Sequence, residues 1–291
     1  MTERLAEVTA RIDGIRQLGA VVNAMRGIAA ARAQMARGQL AAVDGYAATI
    51  GTAIGQASRL TRSAGEGETQ GSARPALIFF CAEQGFAGAF SERLLDATFG
   101  ERVQAATGAN LTDAAVFLIG TRGASIAEER GIACRWKGAM PSHSSGIPAL
   151  AGRIAEALYP EIAAGRVDRL DAVFGLSRPG QGTGIERRRL FPLDATGFPP
   201  PADANPPLTN LAPEALLREL AADYLHALLC HAALHAFAAE SEARMETMAA
   251  AHTQIERQLS VLRATQRQVR QEEITAEIVE LAAGESAIRA L

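Results

Sequence analysis

A chain of 291 residues with 48% hydrophobic and 21% charged residues has the composition of a soluble globular protein that can bury a sizeable core. Its formal net charge of -3 gives no overall basic field, which argues against a protein drawn to nucleic acid or anionic lipid by bulk charge. The three cysteines, Cys81, Cys134 and Cys230, are odd in number and far apart, so we expect a cytosolic chain without a disulfide framework or a cysteine-based zinc cluster.

No segment of the sequence is typical of membrane targeting or insertion. Residues 1–16 carry charges throughout and have no apolar core before a small-residue cleavage site, so we expect no signal peptide. The apolar run at 75–82 is too short to cross a bilayer, and the longer run at 221–239 is interrupted by Asp223 and three histidines. We expect neither run to span a membrane.

The N-terminal segment, residues 1–60, has the apolar spacing of a long helix. No proline precedes Pro75, and apolar side chains recur at intervals of three and four residues. Seven glycines between positions 14 and 55 weaken an isolated helix by up to about 1 kcal/mol each, so this helix needs a tertiary partner. The repeating apolar residues are Leu5, Val8, Ile12, Ile15, Leu18, Val22, Met25 and Ile28.

A connector rich in glycine, glutamate and serine, Leu60–Arg74, predicts a domain boundary. Beyond it, apolar runs of strand length alternate with helical stretches, which predicts a Rossmann-like α/β domain over residues 75–195. The predicted strands are Ala76–Ala82, Ala114–Gly120, Leu170–Ser177 and Glu186–Leu193, and the predicted helices are Phe90–Ala106 and Pro148–Tyr159.

The C-terminal segment, residues 213–288, is predicted to be one uninterrupted helix. A proline-rich stretch, residues 194–212, leads into it, and no glycine or proline occurs between Glu214 and Ala283. Pro213 suits the first turn of a helix, and Gly284 predicts an end close to that position. At about 1.5 Å per residue, such a helix runs on the order of 100 Å, longer than a domain of this size is wide.

This helix carries a seven-residue apolar repeat, which is typical of a left-handed supercoil. The N-terminal helix has a matching stripe, and the simplest arrangement that covers both is an antiparallel coiled coil of the two terminal helices. The stripe shifts near the end of the chain, which predicts a different environment there. The repeat consists of Met245, Met248, His252, Ile255, Leu259, Leu262, Gln266 and Val269, followed after the shift by Ile274, Ile278 and Leu281.

The usual signatures of catalysis are incomplete in this sequence. Lys137 is the only lysine and does not follow a GxxxxG run, so no Walker loop is present. The Gly85–Gly88 turn is a fragment of a dinucleotide fingerprint, for which a strand-to-helix turn is the simpler interpretation. His231 and His235 are four residues apart but lack the glutamate of an HExxH pair, which favours packing over metal binding. We expect no catalytic, cofactor or metal site.

Three interpretations follow from these patterns. The first is a mechanical coiled-coil subunit; the second is a nucleotide-binding α/β enzyme with helical arms; the third is a coiled-coil scaffold. Arginines at 263, 267 and 270 step along one face of the C-terminal helix and are followed by glutamates. This face is either solvated or in contact with a surrounding protein, because arginine forks pair well with carboxylates.

Six segments carry a pattern that extends over nearly the whole chain: Ile12–Ile15, Val22–Arg32, Ala82–Gly88, Gly120–Gly123, Glu242–Ala251 and Val269–Glu280. Together they resemble the gamma subunit of F-type ATP synthases. Two stretches depart from the family pattern: residues 82–88 replace its usual Ser/Thr-Asp-Arg/Lys-Gly-Leu-Cys-Gly turn, and residues 264–268 replace a stretch that carries asparagine. We expect these departures to affect partner fit more than fold.

The resemblance implies a non-catalytic rotor. The paired helices would insert into the hexamer of alpha and beta subunits, and the remainder would meet epsilon and the membrane ring on the cytoplasmic face of a bacterial inner membrane. It implies proton- or sodium-coupled rotation, with no cofactor, no nucleic acid and no direct small-molecule substrate. A divergent, second F-type ATPase of a bacterium fits the altered turn. The residues implied to face the alpha and beta subunits are Met25, Arg26, Arg244, Arg270, Gln271, Thr275 and Glu277.

Overall fold

The computed structural model describes residues 2–60, 74–99, 114–178, 182–193, 198 and 208–289. Within it the chain forms two compact units. Unit 1 comprises Met1–Ile28 and Met245–Leu291, and unit 2 comprises Ala29–Arg244. None of the helices in the described part combines the length and apolar character needed to cross a membrane.

Both terminal segments are single long helices. The N-terminal helix α1 has 56 residues and the C-terminal helix α5 has 77. A short 3-10 turn, Ser144–Gly146, precedes α4. In chain order the elements are α1 (Thr2–Ala57), β1 (Pro75–Phe80), α2 (Phe90–Phe99), β2 (Ala115–Ile119), α3 (Thr121–Glu129), β3 (Cys134–Gly138), α4 (Ile147–Ala163), β4 (Arg169–Arg178), β5 (Gly182–Phe191) and α5 (Pro213–Arg289).

The five strands form one sheet in the order β3-β2-β1-β4-β5. The first four are mutually parallel, with Ile78 of the central strand paired to Phe117 on one side and Ala172 on the other. Strand β5 is antiparallel to β4. Strands β1 and β2 are nearly continuous apolar runs because parallel strands are covered by helices on both faces. The predicted α/β fold with long terminal helices is confirmed.

Alternate side chains of the sheet enter two separate cores. Ile78, Phe117 and Phe174 point to the face that α4 and α5 cover, and they are at most 1% exposed. Leu77 and Phe79 point to the opposite face, where α2 and α3 cover them. The apolar run of α5 near residues 225–238 thus packs on a sheet, which explains why it is nearly as apolar as a membrane segment.

Two details of the predicted elements are corrected. Helix α3 and the edge strand β3 were not predicted: α3 is only nine residues long, and β3 exposes Arg135 and Lys137 between half-buried positions. Helix α5 ends at Arg289, one residue beyond the predicted segment 213–288, and it continues through Gly284 without a break. One glycine destabilises a helix by only about 1 kcal/mol, which is not enough to end it. Residues 61–73 of the connector and 100–106 of the second predicted helix lie outside the described residues.

Candidate functional site

Unit 1 is held together by an apolar seam between α1 and α5. Ile12 and Val22 on α1 pack with Ile255 and Leu259 on α5, and all four are between 2% and 7% exposed. Burying a side chain of this size contributes about 1.5–3 kcal/mol. The seam therefore supplies the tertiary support that the glycine-containing α1 requires.

The two helices are antiparallel, because contacts that move forward along α1 move backward along α5. Arg4 forms an ion pair with Glu272 at 3.6 Å. Further along α1, Gly19 lies so close to Ile255 that a Cβ at position 19 would be 3.2 Å from the Ile255 Cγ2. The predicted antiparallel pairing of the terminal helices is confirmed.

A second set of large apolar side chains on unit 1 faces away from the seam. On α1, Leu18 and Ile28 are 53% and 55% exposed, so the prediction that the whole α1 stripe packs on the partner helix is wrong at these positions. On α5, Ile278 and Leu281 are 59% and 74% exposed. A repeat of 3.5 drifts around a helix of 3.6 residues per turn, which turns some members of a long stripe outward. Exposed apolar surface of this kind is typical of a protein interaction site.

Six of the seven predicted interface residues lie in unit 1. Met25 is half-buried beside the seam, and Arg26 is exposed and donates a hydrogen bond to the Asn23 side chain at 2.9 Å. On α5 the Thr275 hydroxyl donates to the Gln271 carbonyl at 2.8 Å. All four predicted residues of unit 1 on α5 are exposed: Arg270, Gln271, Thr275 and Glu277.

Arg244 differs from these six because its own chain surrounds it. The residue is 6% exposed and belongs to unit 2. Its guanidinium donates to the Gln84 and Gly85 carbonyl oxygens, both at 3.3 Å, and to the carboxylate of Glu240, one helical turn earlier. The guanidinium is thus bound to the turn that follows β1.

Glu240 completes this arrangement, which we call the bracket: Glu240 and Arg244 of α5 with the backbone of residues 83–85. The Glu240 carboxylate accepts hydrogen bonds from the backbone amides of Glu83 and Gln84 at 3.2 and 3.4 Å. Both charged side chains are buried, and each satisfies the other, so removing one leaves an uncompensated charge. Glu240 was not predicted, although its spacing of four residues from Arg244 is typical of a helical ion pair.

The carboxyl edge of the parallel sheet, where doubly wound folds bind ligands, holds a side chain of this protein. The Glu83 carboxylate accepts hydrogen bonds from the Thr121 amide at 3.0 Å, the Thr121 hydroxyl at 2.6 Å and the Met140 amide at 2.8 Å. It thereby links the ends of β1, β2 and β3. A carboxylate already lies at the N-terminus of α3, the position that a phosphate group takes in nucleotide-binding relatives of this fold.

The glycines near this edge serve close packing. A Cβ at Gly120, whose φ is +106°, would collide with the backbone carbonyl of Cys81. A Cβ at Gly123 would collide with the Cys81 side chain. At the Gly85–Gly88 turn, Phe86 has a φ of 62° and is 66% exposed. The glycine-rich sequence is therefore explained by close packing and tight turns of the backbone.

His231 and His235 pack together in the core of unit 2, with ring centroids 4.5 Å apart and Phe174 alongside. Arg188 lies 3.2 Å from His231 Nδ1, and Asp44 lies 3.4 Å from its Nε2. Burial, followed by the positive charge of Arg188, lowers the pKa of His231 from 6.5 to about 4, so the ring is neutral at pH 7. Arg188 therefore donates to Nδ1, and Nε2 carries the proton. Among the described residues, no group of three or more histidine, cysteine or acidic side chains could hold a metal ion.

The sequence profile of a family described as ATP synthase matches residues 4–288 of the chain. The ATP synthase gamma chain of Chlorobium luteolum is 25% identical to it, and the alignment covers 98% of this chain and 99% of that protein. The ATP synthase gamma chain of Streptomyces avermitilis is 28% identical over 96% of this chain and 94% of its own length.

Solved structures with a similar fold come from rotary assemblies. A chain in the Euglena gracilis mitochondrial ATP synthase structure of OSCP, F1 and c-ring has a TM-score of 0.63 and 11% identity, covering 100% of this chain and 96% of that one. A chain in the Tetrahymena thermophila mitochondrial ATP synthase structure of the central stalk and c-ring has a TM-score of 0.57 and 14% identity, covering 79% and 99%. At these identities the likeness is one of fold.

Proposed function

The chain belongs to the ATP synthase family as a gamma subunit, a non-catalytic central-stalk component of the F1 sector, and from this premise we propose which of its surfaces transmit rotation. In the assembled enzyme the subunit couples ion flow through the membrane ring to ATP synthesis or hydrolysis in the hexamer of alpha and beta subunits. It is a peripheral, membrane-associated part of that complex. We further propose that it lies on the cytoplasmic face of a bacterial inner membrane.

The surface proposed to meet the alpha and beta subunits is the exposed face of unit 1. The observation that carries this proposal is the apolar surface beyond the seam, since Ile274, Ile278 and Leu281 are 49–74% exposed within this chain. Arg270 and Glu277 add both signs of charge to the same helix. A hydrophobic patch among charged side chains is typical of a protein interface. In such an interface a few apolar residues are buried at the centre, and polar residues at the rim stay in contact with water.

Met25, Arg26, Gln271 and Thr275 complete the proposed contact set. Met25 packs at the seam and retains partial exposure, which suits an adaptable thioether that can contact a moving partner. The three polar residues present hydrogen-bonding groups rather than a deep pocket. Contacts of this kind are individually modest, so no single angular position of the rotor is strongly favoured over the others.

Arg244 is proposed to act through the bracket. Its guanidinium is bound by Glu240 and by carbonyl groups of residues 84 and 85, so the helix and the turn after β1 are fixed to one another by four hydrogen bonds to the backbone. Torque applied to this part of α5 would reach the sheet through these bonds. Any contact of Arg244 with the catalytic subunits would require the bracket to open.

We propose three segments with separate roles: residues 1–60 and 213–288 as the coiled-coil helices, and residues 75–195 as the α/β domain that meets epsilon and the membrane ring. Stiffness of the coiled-coil pair is supported by the buried seam in unit 1 and by the hydrogen bond between Thr9 and Gln266 at 2.9 Å. Bending of the pair would expose the apolar seam to water, and the free-energy cost of that exposure opposes bending.

Purification of the complete complex through a tag on this chain tests the proposal. We expect alpha and beta subunits to be recovered with it, and we expect Ile278→Asp to reduce their recovery at least tenfold, because a charge would be placed on the proposed interface. Ile185→Asp is the matched control, since Ile185 is also exposed but lies on β5 of unit 2. Recovery of the chain without alpha and beta would favour the scaffold, and tight stoichiometric nucleotide binding at residues 85–88 would favour the enzyme with helical arms.

A further inference from the structure

A cavity of about 800 Å³ in unit 2 is lined by none of the residues proposed to meet the alpha and beta subunits. It opens beside β4, β5 and the first part of α5. Its volume lies within the range of pockets that bind small molecules. The polar lining residues are Arg169, Asp171, Arg187, Arg188 and Arg189, and the apolar ones include Leu190, Phe198, Tyr224 and Leu228.

Strand geometry explains why the arginines converge. Successive side chains of a strand alternate between faces, so Arg187 and Arg189 of β5 share one face. Asp171 of β4 is the pairing partner of Arg189, and Arg169 lies two residues before Asp171 on the same strand. Three guanidinium groups are therefore directed to one buried carboxylate.

Asp171 neutralises only part of this charge. Its side chain is 2% exposed and accepts hydrogen bonds from Arg169 at 2.8 Å and from Arg187 at 2.7 Å. Burial alone would raise the pKa of Asp171, but the hydrogen bonds from Arg169 and Arg187 outweigh burial and lower it, so the group is ionised at neutral pH. Arg189 is 3.7 Å away, within ion-pair range of the same carboxylate.

The remaining positive charge lies at the cavity surface. Arg188 forms an ion pair with Glu186 at 2.7 Å. Among the described residues, Arg169, Arg187 and Arg189 share the single negative charge of Asp171. Their side chains are 35–54% exposed, and a guanidinium has five N–H donors, of which Asp171 takes two from Arg169 and two from Arg187. In the part of the chain that the structure describes, free donors and two positive charges without an acidic partner therefore line the cavity, although the whole chain is slightly acidic.

The other residues that line the cavity are mostly apolar or aromatic. The rings of Phe198 and Tyr224 are 5.2 Å apart in an edge-to-face arrangement, and both line the cavity with Leu228. A cavity lined by both convergent cationic donors and aromatic side chains suits a ligand with a charged head and an apolar body. An extended acidic peptide would bind along an edge and would not need this concave shape.

We propose that this cavity binds a phosphate-bearing anion, with Arg187 and Arg189 donating to the phosphate oxygens. A phosphate group presents several oxygens, so it can accept paired hydrogen bonds from more than one guanidinium at once, which a second carboxylate beside Asp171 does less well. A free pyrophosphate, a nucleotide and a phospholipid headgroup share this chemistry. The proposal does not depend on the contacts proposed for the alpha and beta subunits.

Titration calorimetry of the full chain with sodium pyrophosphate tests the site. We expect saturable binding with a Kd below about 1 mM, because even a small anion held by several charge-assisted bonds reaches that range. Arg189→Gln should weaken binding about tenfold or more, and it spares the two arginines that hold Asp171. Arg153→Gln is the control, since Arg153 is exposed on α4, carries the same charge and does not line the cavity. It should change the Kd less than twofold.

Two further probes identify the source of the phosphate. If ADP binds more tightly than pyrophosphate, the aromatic side chains of Phe198 and Tyr224 contact the base. Cosedimentation with vesicles of phosphatidylglycerol, but not of phosphatidylcholine, that is lost in Arg189→Gln would indicate a headgroup. The proposal is overturned if none of the phosphate probes binds, if Arg189→Gln and Arg153→Gln weaken binding equally, or if a polyglutamate peptide binds at this site while every phosphate probe fails. Circular dichroism of both variants confirms that they fold.

Discussion

The Thr9 hydroxyl accepts a hydrogen bond from the Gln266 side-chain amide at 2.9 Å, although the two residues are 257 positions apart in sequence. The same hydroxyl donates to the Leu5 carbonyl at 2.8 Å, so both of its hydrogen-bonding functions are used. Gln266 is a polar member of a mostly apolar repeat, which also includes His252. A polar residue at one seam position disfavours alternative registers, because shifting the helices would leave it without a partner.

Close approach at Gly19 predicts an unequal response of two glycines in α1. Gly19→Leu should lower the free energy of unfolding by about 1–3 kcal/mol, because the new side chain would be forced against Ile255. Gly14→Leu should raise it by up to about 1 kcal/mol, since no atom lies within 4 Å of a Cβ at Gly14 and leucine is the better helix former. Urea unfolding followed by far-ultraviolet circular dichroism measures both. Equal changes at the two positions would contradict the described seam.

Removing one member of the bracket should destabilise unit 2. Glu240→Ala leaves the Arg244 guanidinium buried without its carboxylate, and we expect a loss of about 3–5 kcal/mol in the free energy of unfolding. Glu246→Ala, at an exposed position of the same helix, should change it by less than about 0.5 kcal/mol. A double-mutant cycle with Arg244→Ala measures the coupling, and additive losses would show that the pair does not interact.

Deletion of residues 278–291 should impair coupling and leave the α/β domain folded. The deleted part belongs to unit 1, whereas Trp136, the only tryptophan, lies on β3 in unit 2 with its ring centroid 6.5 Å from that of Phe117. Its fluorescence spectrum and melting transition should therefore match those of the full chain. In the assembled complex, ATP-driven ion pumping should fall relative to ATP hydrolysis. A shifted Trp136 spectrum would show that the truncation reaches the sheet.

Acid should destabilise the histidine cluster of unit 2. The pKa of His231 is lowered from 6.5 to about 4, so below pH 6.5 the unfolded chain binds a proton that the folded chain does not. The contribution of neutral His231 to the free energy of unfolding is therefore fully present above pH 6.5, and it is lost as the pH drops towards 4. We expect this residue to account for about 2 kcal/mol of the loss between pH 7.5 and 5.

Urea unfolding at the two pH values measures that loss. His231→Phe should show a pH dependence smaller by that amount, and His143→Gln, at an exposed loop position, should keep the full dependence. Arg188 and the neighbouring His235 oppose protonation of His231, whereas Asp44 and Glu186 favour it. An unchanged pH dependence in His231→Phe would mean that these acidic neighbours dominate.

Elements with strong periodicity were predictable from sequence. The absence of glycine and proline between Glu214 and Ala283 predicted α5, and the apolar runs predicted β1, β2 and β4. Strand β3 was not predicted because an edge strand with alternating exposed charges has no continuous apolar signal. Outward-facing Leu18 and Ile28 were not predicted, since spacing alone does not show at which positions the drifting stripe leaves the seam.

The candidate site also has a part that the sequence predicted and a part that it did not. Exposed residues such as Arg270 and Glu277 were identified by resemblance to a family, and their role at the interface stays a prediction. The bracket and the Glu83 bonds depend on which loops meet in space, so they were not predictable from a spacing along the chain. Buried charges are costly unless paired, and the sequence around Glu240 does not show that its partners include backbone groups 157 residues away.

Observation of rotation tests the central claim most directly. With the alpha and beta subunits immobilised and a bead attached to this chain through a cysteine at position 185 on β5, addition of ATP should drive stepwise, unidirectional rotation of the bead. A bead that stays fixed or moves only by diffusion, while the assembled hexamer hydrolyses ATP, would contradict the assignment of this chain as the rotor.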